Sequence, residues 1–486
     1  MVNIKETTTK LIQNLSKRFP SIDIQEKINK KKWNYLIHDV KTSEKQIQKS
    51  FLISNIPPEG ILINKPGIYS FENNINWYPS DSITCILIQS DNVILDFNNF
   101  SLNCINPLNL QTEGICISNS KNNIIKNGDI SLMGLRGIRI ENCTNILIKN
   151  IIIDGLTVVD ISSFIVPSGI FSYQNLNIKI SDCTIKNIKV KTDSMAGIQF
   201  TETINSFIEN CLLENFINLD GACTGIGHLL CEGSIIKNCI TNNFQSFFNG
   251  NIKTQGHTCI GYIPVFSINL EFENCSASNI FGCCDDAHGF SLFLCFGNLN
   301  VKNCSVENVQ DGVGTEIGAK ATGIEIYATD VCVSNCKVNN IIAINPQDKQ
   351  ATGFSCALET NVKIIDCKAS NVLVIDEFGN KNSSLGYGTG FGWAPDPRPE
   401  FAIPATNVLY ENCEANFCDV GFDTWYHINS TWKNIYSNNC GIALFNWNDS
   451  QRTLSCSPCS ECNPPITVTL TNVALGNKFE NVHVKY

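Results

Sequence analysis

The chain contains no stretch of about 18 apolar residues, which excludes an ordinary membrane-spanning helix. Its first residues, MVNIKETTTKLIQNLSKRF, have no apolar core of about seven or more residues, so they do not read as a secretory signal. The expected location is therefore the cytoplasm, or a particle assembled there. Arginine is scarce, and the whole chain carries a net charge of −10. Residues 1–50 hold eleven Lys or Arg against five Asp or Glu, about +6, which leaves the remainder near −16. A body of that charge is excluded as a general binder of nucleic acid, because phosphate binding needs clustered Lys and Arg. The 3.6-residue period of amphipathic helices is also missing beyond residue 50. The 43% hydrophobic content over 486 residues still provides for a large core.

What the sequence has in excess is cysteine and asparagine. The 25 cysteines would suggest disulfides in a small secreted domain. In a long chain without an export signal they read as reduced thiols used as small apolar residues. Their spacing supports this. An Asn-Cys or Asp-Cys pair, usually with an Asn a few residues later, recurs at Cys143, Cys183, Cys211, Cys239, Cys275, Cys304, Cys336, Cys367 and Cys413, and the pair alone at Cys440, at intervals of 27 to 46 residues. A second register, Gly followed by Ile or Phe, runs through Gly137, Gly169, Gly197, Gly225, Gly289, Gly323, Gly353, Gly390, Gly421 and Gly441, with Cys259-Ile260 standing in for one copy. Each unit thus holds three short strands and a Cys turn, which predicts a coiled parallel sheet. Stacking at about 4.8 Å would align the cysteines in an interior column and the asparagines in a turn ladder.

On these motifs the chain resembles the right-handed parallel β-helix superfamily, the pectin-lyase-like fold, and within it the right-handed β-helix repeat class. The opening coils carry further similarity: Pro66-Gly67-Ile68-Tyr69, then Asn92-Val93-Ile94-Leu95-Asp96, then Ile125-Lys126-Asn127-Gly128. The resemblance covers roughly residues 55–486 and implies an all-β solenoid of three short strands per coil. The expected organisation is a β-helix over 51–486 and, over 1–50, a small helical N-terminal cap that would close the open end of the sheet. A basic arm for a membrane, nucleic acid or partner is the rival reading of 1–50. Long loops are expected near 155–168, 245–258, 376–389 and 394–406.

Chemistry concentrates in a few places. In the Gly-Ile/Phe strands, alternation places His228 inward beside Phe200 and Tyr262, as a core histidine. It sends Arg139, Gln199, Ser291, Glu325, Ser355 and Asp423 outward, with Tyr173, Phe293, Tyr327, Trp425 and Phe445 two residues further on. Aromatic faces among carboxylates and amides suit sugar rings, with their apolar CH faces and hydroxyl edges. They suit plain packing under a loop as well. Tyr327, Trp393 and Trp425 are the candidate sugar platforms, and Glu325 and Asp423 the polar contacts. The stretch CCDDAHGF supplies Asp285, Asp286 and His288 just before the strand at Gly289, and His257 lies one unit earlier at the same edge. A pair of carboxylates with a nearby histidine is the equipment of a glycoside hydrolase.

Asp285-Asp286 and His257 are similar to the Asp-Asp pair and Gly-His-Gly segment of polygalacturonase-type hydrolases. Here the order of the two segments is reversed, the family's Asn-x-Asp partner is missing and no Arg-x-Lys follows. A lyase would need a convergent acidic calcium site and a basic residue, which the sequence does not offer. Cys456, Cys459 and Cys462 form a CxxCxxC outside the repeat register, with a spacing compatible with zinc and His483 as a fourth ligand; thiols in a solvent loop, or a local disulfide, are the other readings. Otherwise no cofactor is expected. Two functions of different class therefore stand. One is a carbohydrate-interacting protein with a polysaccharide partner, either cleaving its glycan or, as an epimerase would, altering it without cleavage. The other is a non-catalytic fibre, spike or surface component, for which an oligomer would be natural.

Overall fold

A computed structural model describes residues 49–106, 111–157, 166–247, 258–282, 286–311, 320–344, 350–356, 361–376, 378–381, 388–392, 404–445, 451–456, 466–471 and 476–485. Residues 1–48, where the helical cap is expected, lie outside these, as do most of the expected long loops. Among the described residues every element is a strand, and no helix is long and apolar enough to cross a membrane. The chain divides into two compact units. One comprises Met1–Val190, Ala196–Leu213 and Gly227–Cys239; the other comprises Lys191–Met195, Glu214–Ile226 and Ile240–Tyr486.

Each unit is a stack of coils whose equivalent strands pair in parallel. In the first, Ser168–Tyr173, Leu176–Ser181 and Thr184–Val190 are the three strands of one coil. Alternation is visible in Ile204–Glu209, where buried and half-buried residues take turns. One inward position carries a column of isoleucines, Ile86, Ile115, Ile138, Ile170 and Ile198, each registered on the next and all buried. The matching position in the second unit is filled largely by rings. Tyr262 registers on Phe290 and stacks on it at 4.4 Å, and Phe354, Phe391 and Phe422 stack at 4.8 and 5.1 Å. Such offset ring stacks add to simple area burial.

The Asn-Cys motif now has a physical cause. Asn210, Asn238, Asn274, Asn303 and Asn335 each hold φ between 51° and 55°, the left-handed conformation that asparagine tolerates. The turn they make places the following cysteine inward, and all ten motif cysteines are buried and unbridged. Burial pushes the thiol of Cys413, one of the ten, and that of Cys231 outside the motif up to about 12, so these two stay protonated near neutrality. The asparagine amides bond along the stack. Asn122 donates to Asn92, Asn145 to Asn122, Asn177 to Asn145 and Asn205 to Asn177 at 2.9–3.2 Å. In the second unit Asn303 donates to Asn274 and Asn335 to Asn303 at 3.1 and 2.8 Å.

The glycine register is a matter of close approach rather than of φ. A Cβ on Gly289 would lie 2.7 Å from the Gly323 carbonyl oxygen, and one on Gly323 would lie 2.6 Å from that of Gly353, with Val306 and Val338 side chains also in the way. The register corrects two expected copies. Tyr262, not Ile260, pairs with Phe290, so Gly261 is the true member and Cys259-Ile260 are equivalent to Ala287-His288. Likewise Val420 pairs with Ile442 and Phe422 with Leu444, which puts Ala443 rather than Gly441 beside Gly421.

Candidate functional site

The second unit brings a charged cluster together on two rungs, Ala287–Cys295 with Asp286 at its start and Lys320–Ala328, and the uncharged rung Gln350–Cys356 follows them. The register puts His288 beside Thr322 and Thr322 beside Thr352, and in a parallel row Ser291 beside Glu325 and Glu325 beside Ser355. Because Phe290 and Leu292 pair with Ile324 and Ile326 in the core, alternation places the Ser291–Glu325–Ser355 row on the opposite face of the sheet, and His288, just before the column glycine, is set against that row by its contact with Glu325.

His288 stands between two carboxylates. Its Nε2 is 3.5 Å from Asp286 Oδ2 and its Nδ1 is 3.6 Å from Glu325 Oε2. Lys320 closes the group, with Nζ 2.6 Å from Glu325 Oε1 and 3.9 Å from Asp286 Oδ2. The Ser291 hydroxyl donates to Glu325 Oε2 at 2.6 Å, and the Lys320 backbone N–H donates to Asp286 Oδ1 at 3.0 Å. His288 is 2% exposed and Glu325 is also buried, so the cluster meets solvent mainly through the Asp286 side chain, which is 25% exposed.

Burial alone would raise both carboxyl groups. The Lys320 charge and the His288 contact overcome it at Asp286, and the His288 and Lys320 charges do so at Glu325, leaving both below the ordinary carboxylate range. Both are therefore ionised at neutral pH. Three polar atoms of this face are buried without a hydrogen-bond partner: Thr322 Oγ1, Ser355 Oγ and His288 Nδ1. Both hydroxyl residues are fully buried or nearly so, Thr322 at 0% and Ser355 at 0% exposure. Buried polar groups are almost always satisfied, so two orphan hydroxyls beside one charged cluster are an exception, and neither is open to solvent.

The remaining expected residues fall elsewhere. Asp285, His257, Trp393, Cys459 and Cys462 lie outside the described residues, as does the side chain of Cys456. No group of three or more candidate ligands that could hold a metal occurs among the described residues, and His483 stacks on Tyr436 at 4.7 Å. Two expected sugar platforms are buried instead of open: Tyr327 is 1% exposed, with the Lys320 ammonium 5.2 Å from its ring centre, and Trp425 is 0% exposed. The reason is that the outward row is covered here, so an outward position does not amount to a solvent-facing one. Asp423 is also buried and its Oδ1 accepts from the Trp425 backbone N–H at 2.9 Å, a turn-stabilising role. His228 does sit inside, edge-on to Phe200 at 5.2 Å, and burial pushes its pKa down to about 3.

Lys320 and Thr322 are the site residues that sequence reasoning missed. For Thr322 a signal was present three positions ahead of the outward row, in the residue just before each column glycine: His288, Thr322, Thr352 and Thr389; Lys320, three residues before Gly323, has no such signal.

Residues 40–203 match the protein family described as right handed beta helix region. The fold is a right-handed parallel β-helix. Solved structures similar to the chain include the A-module of a mannuronan C-5 epimerase from Azotobacter vinelandii (9% identity, 87% of this chain and 91% of that chain covered, TM-score 0.36). Others are an exopolygalacturonase from Thermotoga maritima (9% identity, 78% and 87% covered, TM-score 0.34) and a tailspike protein of an E. coli bacteriophage in complex with a pentasaccharide (12% identity, 87% and 74% covered, TM-score 0.36). No curated protein matches the chain.

Proposed function

We propose that this β-helix is a carbohydrate-interacting protein whose contact face is the three-rung polar patch around His288. The observation that carries the reading is the pair of orphan hydroxyls, Thr322 Oγ1 and Ser355 Oγ, beside two ionised carboxylates. Sugar hydroxyls are both donors and acceptors, and so could satisfy carboxylates and serine or threonine hydroxyls together. A glycan approaching past Asp286 would meet Lys320 and His288 next, and would reach the buried hydroxyls on the neighbouring rungs on displacement of the cover over them.

The same electrostatics argues against hydrolysis by these two carboxylates. A two-carboxylate glycosidase needs one of them protonated, with its pKa raised, to protonate the leaving oxygen. Asp286 and Glu325 are both shifted the other way. The function proposed is therefore recognition without chain cleavage by this pair. A purely structural protein is the second reading, and the bond from the Lys320 backbone to Asp286 favours it, since that contact braces the coil edge.

The test is to pass the purified protein over a mixed panel of neutral and acidic polysaccharides and to follow retained glycan and released oligosaccharides by mass spectrometry. Retention without release is expected. Release of oligosaccharides would replace binding with turnover, and neither signal would leave the structural reading.

A further inference from the structure

The charges around His288 also restrict which glycan could bind, an inference that rests on the glycan-binding reading above. Among the described residues two carboxylates, Asp286 and Glu325, share one ammonium, Lys320, and one imidazole. Whichever protonation state the imidazole takes, the group has no surplus positive charge. The one ammonium is engaged, at 2.6 Å from Glu325 Oε1, and it also faces the ring of Tyr327. Recognition of a carboxylate or sulfate group would ask for a guanidinium fork or an uncommitted ammonium. No arginine occurs among the described side chains of this unit.

The most exposed member of the cluster is itself a carboxylate. Asp286 is the first charge an incoming ligand would meet, and a sugar acid placed against it would be repelled in a partly desolvated setting. The long-range field acts in the same direction, because the chain beyond residue 50 carries about −16. The hydrogen-bonding atoms point to the same class. The carboxylate oxygens are acceptors only, while the Thr322 and Ser355 hydroxyls and His288 Nδ1 have unfilled bonding capacity. A ligand rich in O–H or N–H donors fills such a face, whereas an array of carboxylates does not.

We infer that the face around Asp286, His288, Lys320, Thr322, Glu325 and Ser355 takes a non-acidic glycan, with neutral or amino-bearing sugars, and selects against polyuronates and sulfated chains.

The probes are oligomers of equal length: a glucose oligomer, a glucosamine oligomer and a galacturonate oligomer, titrated into the full-length protein by calorimetry. The glucose or glucosamine oligomer should bind at least about tenfold tighter than the galacturonate oligomer. Asp286→Asn, which keeps an oxygen acceptor for the Lys320 N–H, should narrow that ratio by on the order of fivefold. Should that variant fail to fold, the native protein provides the same readout through ionic strength: raising salt from about 0.05 M to about 0.5 M should narrow the ratio, as screening of a repulsion requires. Equal or tighter binding of the galacturonate oligomer overturns the inference and leaves glycan binding standing. Absence of binding by all three, and by the wider polysaccharide panel, overturns the glycan reading itself and the inference with it.

Discussion

The two units each carry a charged cluster near their column glycines, and the clusters are completed differently. In the first unit Glu113 accepts from Thr84 Oγ1 at 3.0 Å, Arg136 Nη1 at 3.1 Å and Arg139 Nε at 2.9 Å, and Arg139 also pairs with Glu141. The Arg136 guanidinium lies 4.2 Å from the centre of the Phe171 ring, and of its donors Nε is buried without a partner. Two arginines balance two glutamates, and the central carboxylate is saturated. In the second unit Asp286 and Glu325 face one lysine and a histidine, and hydroxyls on both adjoining rows are orphaned. Position alone does not make a site, since both clusters occupy comparable places in the coil. Each keeps an orphan atom, Arg136 Nε in the first and the Thr322 and Ser355 hydroxyls in the second, so what separates them is the carboxylates: Glu113 is saturated by two guanidinium groups, whereas Asp286 and Glu325 both lean on Lys320.

The largest expected effect lies in the saturated cluster. Glu113→Ala would leave two largely buried guanidinium groups without their shared carboxylate, and should cost about 3–5 kcal/mol in denaturant unfolding. Glycan binding by the second unit should be unchanged. A loss of binding in a still-folded Glu113→Ala protein would break the distinction between the clusters.

Acid should act on the two units through different groups. Burial pushes His228 in the first unit down to about 3 and His427 in the second to about 4. An unfolded histidine binds its proton near pH 6.5, so the unfolded state takes up more protons below that value and stability falls with pH. Each such histidine should cost up to about 1.4 kcal/mol per pH unit, from about pH 6.5 down to its folded value. The depressed Asp286 and Glu325 contribute stability that is fully present above their ordinary pKa values and is lost as pH falls through the folded ones. Unfolding curves of His228→Phe should therefore lose slope between about pH 6.5 and 3. Glu325→Gln should lose it only below the ordinary carboxylate range.

A ladder substitution tests what the clusters stand on. Asn303→Ala removes amide bonds to Asn274 and from Asn335 and puts alanine at φ 54°, for a cost of about 2 kcal/mol in chemical unfolding. The smallest stability effect is expected at Thr322→Val, which replaces an orphan hydroxyl by a methyl of the same shape. It should leave stability level or raise it by up to about 1 kcal/mol, because an unsatisfied buried group is removed.

Much of the coil was legible from residues alone. The Asn-Cys pairs gave the turn ladder and the inward thiol column, since cysteine is small enough to stack; the left-handed φ of the asparagines is what the structure adds. The site was less legible. Tyr327 and Trp425 were expected as open platforms because alternation reports which face a side chain is on, not what lies over that face. Lys320 and Thr322 escaped notice because alternation groups Thr322 with the core position Ile324 and so gives no reason to look ahead of the glycine. His288, Asp286 and Glu325 were singled out as residues, but their convergence depends on a register between coils that spacing in a single sequence does not supply.

The most direct measurement is glycan affinity of the native protein and of a Thr322→Val/Ser355→Ala variant, taken alongside thermal unfolding of both. If the orphan hydroxyls are ligand contacts, the variant should unfold at or above the native temperature while its affinity for the retained glycan drops by at least about tenfold. A variant that is equally stable and binds as tightly as the native protein would contradict the claim that this face is the site.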